Sequence, residues 1–345
     1  MVDLLGYRRR VVGCVVGGAV GDAVGAAVEF LSLRRIREVY GPSGVRGPVG
    51  AYGVDGAAIT DDTQMALFAL EGLVRAGADG DVVEEVFRAH RRWYATQVLH
   101  APVVGVAALP GAGSVEIDGG LALQGWLYAQ RAPGNACLSG LRSGRRGTRE
   151  LPANPDSKGC GAVMRAAPFG LVPAWDAARA FTLAAECGAQ THGHPTGHLA
   201  AGALAAIVRG LLDGLDVAEA VRRALVLLET PGGEETHQAL TRAVAEASKG
   251  SPSAELLEGL GEGWIAEEAL AMSVYCALVH EDDPEAALLL AVNHSGDSDS
   301  TGAITGNLLG AVHGVSAFPA SWVSVLEGRE AIERLAGEFT ARFTS

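Results

Sequence analysis

The segment HSGDSDST, residues 294–301, places two carboxylates, Asp297 and Asp299, among several hydroxyl groups. An apolar run, residues 286–292, precedes this segment, and a run rich in Gly and Ala, residues 302–314, follows it. Two acids between apolar elements are unfavourable to bury without a partner, so we expect a cation among them. Carboxylate and hydroxyl oxygens are ligands for hard ions such as Mg²⁺, Mn²⁺ or Ca²⁺.

A second acid cluster lies far upstream, in the segment TDDT at residues 60–63, and it also opens an apolar run, residues 65–74. We interpret the two clusters as halves of one site, because four carboxylates suit two divalent ions better than one. Helix capping is the alternative: Thr60 could cap a helix whose positive end Asp61 and Asp62 favour. Capping needs only one residue per helix, so acids paired in both clusters favour a metal site.

Composition predicts a folded, helical protein. The chain has 345 residues, of which 48% are hydrophobic and 19% charged, and small apolar residues dominate over the 6% that are aromatic. Its net charge of −13 argues against a nucleic-acid partner, except as a modified substrate. The apolar spacing is helical along the whole chain without a break in composition, so we predict one all-α domain over residues 1–345.

The five cysteines are dispersed and form no C-x-x-C pair, which argues against a disulfide framework or a zinc site and fits a reducing cytoplasm. Residues 8–20 mimic a signal peptide, but Asp22 and Glu29 interrupt the apolar run. No later stretch has 18 uninterrupted apolar residues. We therefore expect a cytoplasmic protein with no membrane partner.

Residues 11–30 are predicted to form one buried helix in which glycines recur every fourth residue, at positions 13, 17, 21 and 25. Such a glycine face lets another backbone approach closely. Glu29 at its end is either a surface glutamate or an acid or base with a perturbed pKa. A dinucleotide-binding turn is the weaker interpretation of the glycines, because no strand clearly precedes them.

Two segments are predicted to be loops, residues 31–59 and residues 131–158. The second carries four arginines between positions 142 and 149, and we interpret it either as a solvated loop or as a lid over an anionic ligand. The remaining periodic segments are predicted helices: residues 62–76, 81–97, 197–213, 216–229, 234–248, 264–280 and 284–293.

The segment SKGCGAVMR, residues 157–165, has glycines before an apolar stretch, where free backbone N–H groups can bind phosphate. The segment THGHPTGH, residues 191–198, holds three histidines, which by themselves suggest zinc. No H-E-x-x-H arrangement is present, so we favour a histidine directed at a phosphate or a capping role.

Four segments in this order resemble the motifs of the ADP-ribosylglycohydrolase family: residues 21–30, 60–63, 157–165 and 296–302. The family includes ADP-ribosyl-acceptor hydrolases, dinitrogenase reductase-activating glycohydrolases and J1-type crystallins. The resemblance implies a compact, single-domain orthogonal helical bundle with a dinuclear centre of two Mg²⁺, or alternatively Mn²⁺.

The resemblance also assigns residues. It implies that Glu29 acts as a general base and that Asp62 and Asp299 take part in catalysis. The implied metal ligands are Thr60, Asp61, Asp62, Asp297, Asp299 and Ser300. The implied substrate-binding residues are Ser157, Gly159, Cys160, Gly161 and His192. Two positions depart from the pattern: Ser300 stands where many members have threonine, and Cys160 where some have asparagine.

The activity implied is hydrolysis of the bond between C1″ of ADP-ribose and an acceptor, with an arginine linkage favoured over a serine linkage. The substrate would be an ADP-ribosylated protein or a small-molecule conjugate of ADP-ribose. Two alternatives stay open: a crystallin-like protein that binds ADP-ribose without catalysis, and a metal-dependent phosphohydrolase of ADP-ribose, since four carboxylates also serve phosphoryl chemistry. The oligomeric state is not predicted.

Overall fold

The chain folds mainly into helices in the computed structural model, which describes residues 3–344. The first eight helices are α1 Leu4–Gly25, α2 Leu33–Tyr40, α3 Asp61–Ala76, α4 Val82–Val98, α5 Asn135–Arg142, α6 Ala167–Gly170, α7 Ala177–Gly188 and α8 Pro195–Leu212. The following eight are α9 Val217–Leu227, α10 Glu234–Ala247, α11 Ala254–Glu258, α12 Ala266–Val279, α13 Pro284–Val292, α14 Ser298–His313, α15 Ala320–Ser324 and α16 Arg329–Thr344. The predicted all-α fold class is confirmed.

Helices α1 and α14 pack backbone against backbone, as the glycine spacing of α1 predicts. A Cβ atom on Gly21 would lie 2.0 Å from the carbonyl oxygen of Gly302, and one on Gly17 would lie 2.4 Å from that of Gly306. Neither position tolerates a side chain without moving the helices apart. This contact sets the end of α1 directly against the start of α14, where the acid segment of residues 297–299 begins.

Helix α1 is shorter at its C-terminal end than predicted. It ends at Gly25, where a Cβ atom would lie 2.4 Å from the carbonyl oxygen of Ser298, and the chain then turns through residues 26–30. Glu29 therefore lies in this turn and not within the helix, and its side chain is only 5% exposed.

Several elements lie outside the predicted helices, among them α7, α16, two short helices and a β-hairpin. Helix α2 lies in the first predicted loop, where Ser32 caps it by accepting a hydrogen bond from the Arg35 N–H at 3.2 Å. Only Leu33 and Ile36 of this short, charged helix are buried, so its apolar periodicity is weak. Helix α5 lies in the second predicted loop, and strands β1, Gly105–Leu109, and β2, Gly113–Ile117, form an antiparallel hairpin.

Helix α8 is the one described helix whose length and composition would allow it to span a membrane. In the fold, 89% of this 18-residue window is buried inside the protein. Its apolar surface is therefore accounted for by packing against neighbouring helices.

Candidate active site

Both acid segments begin helices, and one residue of each segment caps its helix. The Thr60 hydroxyl accepts a hydrogen bond from the Asp62 N–H at 3.2 Å, and the Asp297 carboxylate accepts one from the Ser300 N–H at 3.4 Å. The capping interpretation is thus correct for Thr60, and Asp297 caps α14 in the same way. Helix capping does not explain why the side chains of Asp61 and Asp62 are acidic.

The two segments meet in the fold. The Ser300 hydroxyl donates a hydrogen bond to Asp62 Oδ1 at 2.8 Å. Carboxylate oxygens of Glu29, Asp297 and Asp299 lie within 4.8 Å of one another, and all three side chains are buried. The end of α1 thereby joins the starts of α3 and α14 in one acid cluster, defined here as Glu29, Asp61, Asp62, Asp297 and Asp299.

No lysine, arginine or histidine within residues 3–344 forms an ion pair with any carboxylate of the acid cluster. Burial, followed by the charge of Asp299, raises the pKa of Glu29 to about 11 and holds the pKa values of Asp61 and Asp62 well above their usual range. Buried carboxylates without a cation are strongly unfavourable. The donor set, carboxylates and hydroxyls, therefore fits a hard divalent cation bound from solution.

Asp22 is a residue of the site that sequence reasoning did not assign. It is fully buried on α1 and accepts hydrogen bonds from the N–H groups of Thr60, at 3.0 Å, and Thr63, at 3.1 Å, and from the Thr63 hydroxyl. Asp22 thereby holds the start of α3 against α1. Asp22 is a single acid within an apolar, glycine-rich helix, and that pattern could have indicated its role from the sequence.

Two loops also reach the acid cluster. The Tyr52 hydroxyl donates a hydrogen bond to Glu29 Oε2 at 3.4 Å, and the Gly134 N–H donates one to Asp61 Oδ2, also at 3.4 Å. Both residues come from segments predicted as loops, and nothing in the local sequence marks either of them. Their positions depend on the tertiary fold.

The predicted glycine loop contacts the acid cluster through Cys160. Residues Cys160–Ala162 form one turn of 3-10 helix, and the Cys160 thiol donates a hydrogen bond to Asp297 Oδ2 at 2.7 Å. Burial and then the Asp297 charge hold the thiol's pKa well above its usual range, so the thiol remains a donor. Ser157, at the start of this segment, contacts His194: the Ser157 carbonyl oxygen accepts a hydrogen bond from the His194 N–H at 3.2 Å.

His192 packs on the same loop. A Cβ atom on Gly161 would lie 2.9 Å from the His192 ring, whose Nδ1 lies 2.8 Å from the Thr191 hydroxyl. Burial, with the Arg165 charge, lowers the pKa of His192 to about 3, so the ring is neutral near pH 7. His194 instead caps α8 by accepting from the Thr196 N–H at 3.3 Å.

Two of the four arginines between positions 142 and 149 make contacts away from the acid cluster. Arg146 pairs with Glu84 of α4 at 3.3 Å, and Arg145 donates to the Leu151 carbonyl within the loop at 3.1 Å. These contacts give the lid interpretation no support.

Comparison with known proteins agrees with this geometry. The family model described as ADP-ribosylglycohydrolase matches residues 4–345. The ADP-ribosyl-[dinitrogen reductase] glycohydrolase of Rhodospirillum rubrum is 27% identical over 92% of this chain and 90% of its own length. The ADP-ribosylarginine hydrolase Tri1 of Pseudomonas putida is 43% identical over 56 residues, 16% of this chain and 15% of its own.

A solved structure also resembles the whole fold. A chain of an "ADP-ribosylglycohydrolase-related protein complex" is 26% identical and superposes with a TM-score of 0.68, over 99% of this chain and 100% of its own. The expected family, inferred from four short segments, is thereby confirmed along the chain. This chain belongs to the ADP-ribosylglycohydrolase family of hydrolases.

Proposed function

We propose that this chain hydrolyses the glycosidic bond between C1″ of ADP-ribose and an acceptor side chain, with arginine favoured over serine as the acceptor. One observation carries the proposal: five buried carboxylates converge without a cation from the chain, beside a glycine loop and a neutral histidine. The name of the Pseudomonas relative, an ADP-ribosylarginine hydrolase, supports the choice of arginine.

The residues that would hold two Mg²⁺ or Mn²⁺ ions are Thr60, Asp61, Asp62, Asp297, Asp299 and Ser300. Ions bound there would supply Lewis-acid polarisation and lower the pKa of a coordinated water. Asp62 and Asp299 belong to different segments, and both would take part in catalysis through the ions that they hold. The native ion and the number of ions are part of this proposal.

Glu29 would act as the general base that takes a proton from the attacking water. Its position fits this role, because its carboxylate lies within 4.8 Å of the carboxylates of Asp297 and Asp299. The same carboxylate accepts a hydrogen bond from the Tyr52 hydroxyl. Its raised pKa means that it is protonated near pH 7 while the acid cluster lacks positive charge. Positive charge among these acids would lower that pKa and free the carboxylate to accept a proton.

The substrate would lie along the glycine loop. Free backbone N–H groups near Gly159 and Gly161, with the neutral His192 ring, would bind the pyrophosphate of ADP-ribose. The substrate class is an ADP-ribosylated protein or a small-molecule conjugate, and a cytoplasmic location stays a prediction.

Hydrolysis assays with two peptides, one ADP-ribosylated on arginine and one on serine, test the proposal in Mg²⁺ or Mn²⁺. We expect the wild type to release free ADP-ribose faster from the arginine peptide. Glu29→Gln should lower turnover by about 10²- to 10⁴-fold, the usual contribution of a general base, while keeping its fold and its metal. Normal turnover in Glu29→Gln would remove its catalytic role.

The products separate the remaining interpretations. AMP with ribose phosphate would indicate a phosphohydrolase that cleaves the pyrophosphate. Binding of ADP-ribose without any product would indicate a non-catalytic reader. Either result would contradict the proposed glycosidic cleavage.

A further inference from the structure

The exposed aromatic side chains within residues 3–344 are Phe30, Tyr52 and Trp264, whose exposed fractions are 68%, 44% and 38%. Other large aromatic rings, such as Trp93 and Phe68, are completely buried in the core. Exposed rings are unfavourable in water, so three of them at one place mark a surface that contacts a ligand.

These three rings come from distant parts of the sequence and meet at the edge of the acid cluster. Phe30 follows Glu29 directly, and the Tyr52 hydroxyl donates a hydrogen bond to Glu29. The Trp264 carbonyl accepts a hydrogen bond from the Cys160 N–H at 3.1 Å. The rings therefore border both the proposed general base and the glycine loop.

The segment before Trp264 is fixed to the acid cluster by a second contact. The Glu262 carbonyl accepts a hydrogen bond from the Asp297 N–H at 2.9 Å, and a Cβ atom on Gly263 would lie 3.2 Å from the Cβ atom of Asp297. Trp264 is thus held by backbone contacts on both sides. Removing its side chain leaves those contacts in place.

Phe30 and Trp264 form a nearly parallel pair, with ring centroids 5.7 Å apart and ring planes inclined by 17°. A planar group between two rings needs about 3.5–4 Å on each side, so nothing fits between these two. A ligand must instead use the outer, solvent-facing surface of the pair.

We propose that Phe30 and Trp264 form an acceptor subsite, which stacks against the guanidinium group of an ADP-ribosylated arginine. This inference rests on the proposed function, because it places C1″ beside Glu29. Adenine lies at the other end of ADP-ribose, so rings beside the cleaved bond contact the acceptor side of the substrate.

The exposed faces of the Phe30 and Trp264 rings favour a planar cation as the ligand. A guanidinium group stacks on aromatic faces through cation–π attraction and through the contact of its planar surface with the ring. A serine-linked acceptor is neutral at the linkage and gains no cation–π attraction. The subsite would therefore determine specificity for arginine.

Steady-state kinetics of ring-removing and ring-retaining variants test the subsite. Phe30→Ala and Trp264→Ala should raise KM for the arginine-modified peptide by about 2- to 30-fold, the range of cation–π energies, and leave kcat within about twofold. Phe30→Tyr and Trp264→Phe keep an aromatic face and should stay close to wild type. Val226→Ala, an exposed position on α9, is the remote control.

Two further readouts distinguish a subsite from general damage. KM for the serine-modified peptide and the Kd for free ADP-ribose should not change in Phe30→Ala. Equal losses with both peptides, or a KM for the arginine peptide that does not depend on the rings, would overturn the inference.

Failure of the proposed function gives a different result. If the wild type releases no ADP-ribose from either peptide, the proposed function fails. The subsite is then tested by calorimetry, which measures the affinity for the arginine-modified peptide. Weaker binding to Phe30→Ala than to Phe30→Tyr would support it, and equal binding would contradict it.

Discussion

Helix α3 carries two kinds of buried acid, and their surroundings differ. Glu71, near the middle of the helix, is 5% exposed and accepts a hydrogen bond from the Arg92 guanidinium at 2.9 Å and another from the Leu121 N–H at 3.1 Å. Asp62, in the first turn, is 3% exposed and accepts a hydrogen bond from the Ser300 hydroxyl, but it has no cationic partner among residues 3–344.

The difference separates an acid that the chain itself neutralises from acids that it leaves without a positive partner. A buried carboxylate needs a positive partner, and for Glu71 the chain itself supplies one. For the acid cluster the chain supplies further acids, so their charge is neutralised by protons or cations from solution. This difference is the physical basis of the proposed metal site.

Breaking the internal pair should have the largest effect on stability. Glu71→Leu leaves the guanidinium of Arg92 buried without a partner, which should lower the free energy of unfolding by about 3–5 kcal/mol. Urea denaturation measures the loss, and Glu333→Ala, which breaks an exposed pair with Arg329, should change stability by no more than about 1 kcal/mol.

Glu71→Leu also tests whether the acid cluster is independent of the internal ion pair. Added Mg²⁺ should still raise the melting temperature of Glu71→Leu, because its acid cluster is intact. Similar stability losses for Glu71→Leu and Glu333→Ala would show that burial does not distinguish the two pairs.

The close approach of α1 and α14 should have a smaller effect. Gly21→Ala places a Cβ atom 2.0 Å from the Gly302 carbonyl oxygen, and we expect a loss of about 1–3 kcal/mol from overpacking. Metal affinity should fall as well, since α1 carries Asp22 and leads into Glu29. Gly337→Ala on α16 is the control, because an added Cβ atom there would meet no atom from outside its own turn of helix within 4 Å. This substitution should be neutral or stabilising by up to about 1 kcal/mol. Equal effects at both positions would mean that the helices separate freely.

The pH dependence of the metal-free chain tests the raised pKa values of the buried acids. Burial, with the charge of Asp299, raises the pKa of Asp22 from 3.8 to about 7. Between these values the folded state keeps a proton that the unfolded state has lost, so the free energy of unfolding falls as the pH rises. Calorimetry in EDTA should give a melting temperature that decreases from pH 4 to pH 7. An increase over this range would contradict the raised pKa.

Sequence periodicity predicted the close-packed part of the fold well. Glycines at every fourth position of α1 favour close backbone approach, and the fold contains that approach at Gly17 and Gly21. The order of four short segments placed the family correctly. Helices α2 and α5 are among those missed, and each is eight residues long and buries few apolar side chains.

The parts of the site that sequence could not place depend on contacts between distant residues. Asp22 holds Thr60 and Thr63 from about 40 positions away, and its role is visible only once α1 lies beside the start of α3. Tyr52 belongs to a predicted loop and Trp264 stands at the start of a predicted helix, and only the fold brings them to Glu29 and Cys160.

Calorimetric titration with Mg²⁺ and Mn²⁺ tests the central claim, that the acid cluster exists to bind divalent cations. The wild type should bind the ions, and Asp299→Asn should lose them while becoming more stable than the wild type in EDTA, since one buried negative charge is gone. A wild type that binds neither ion, or an Asp299→Asn variant with unchanged metal affinity, would contradict the account.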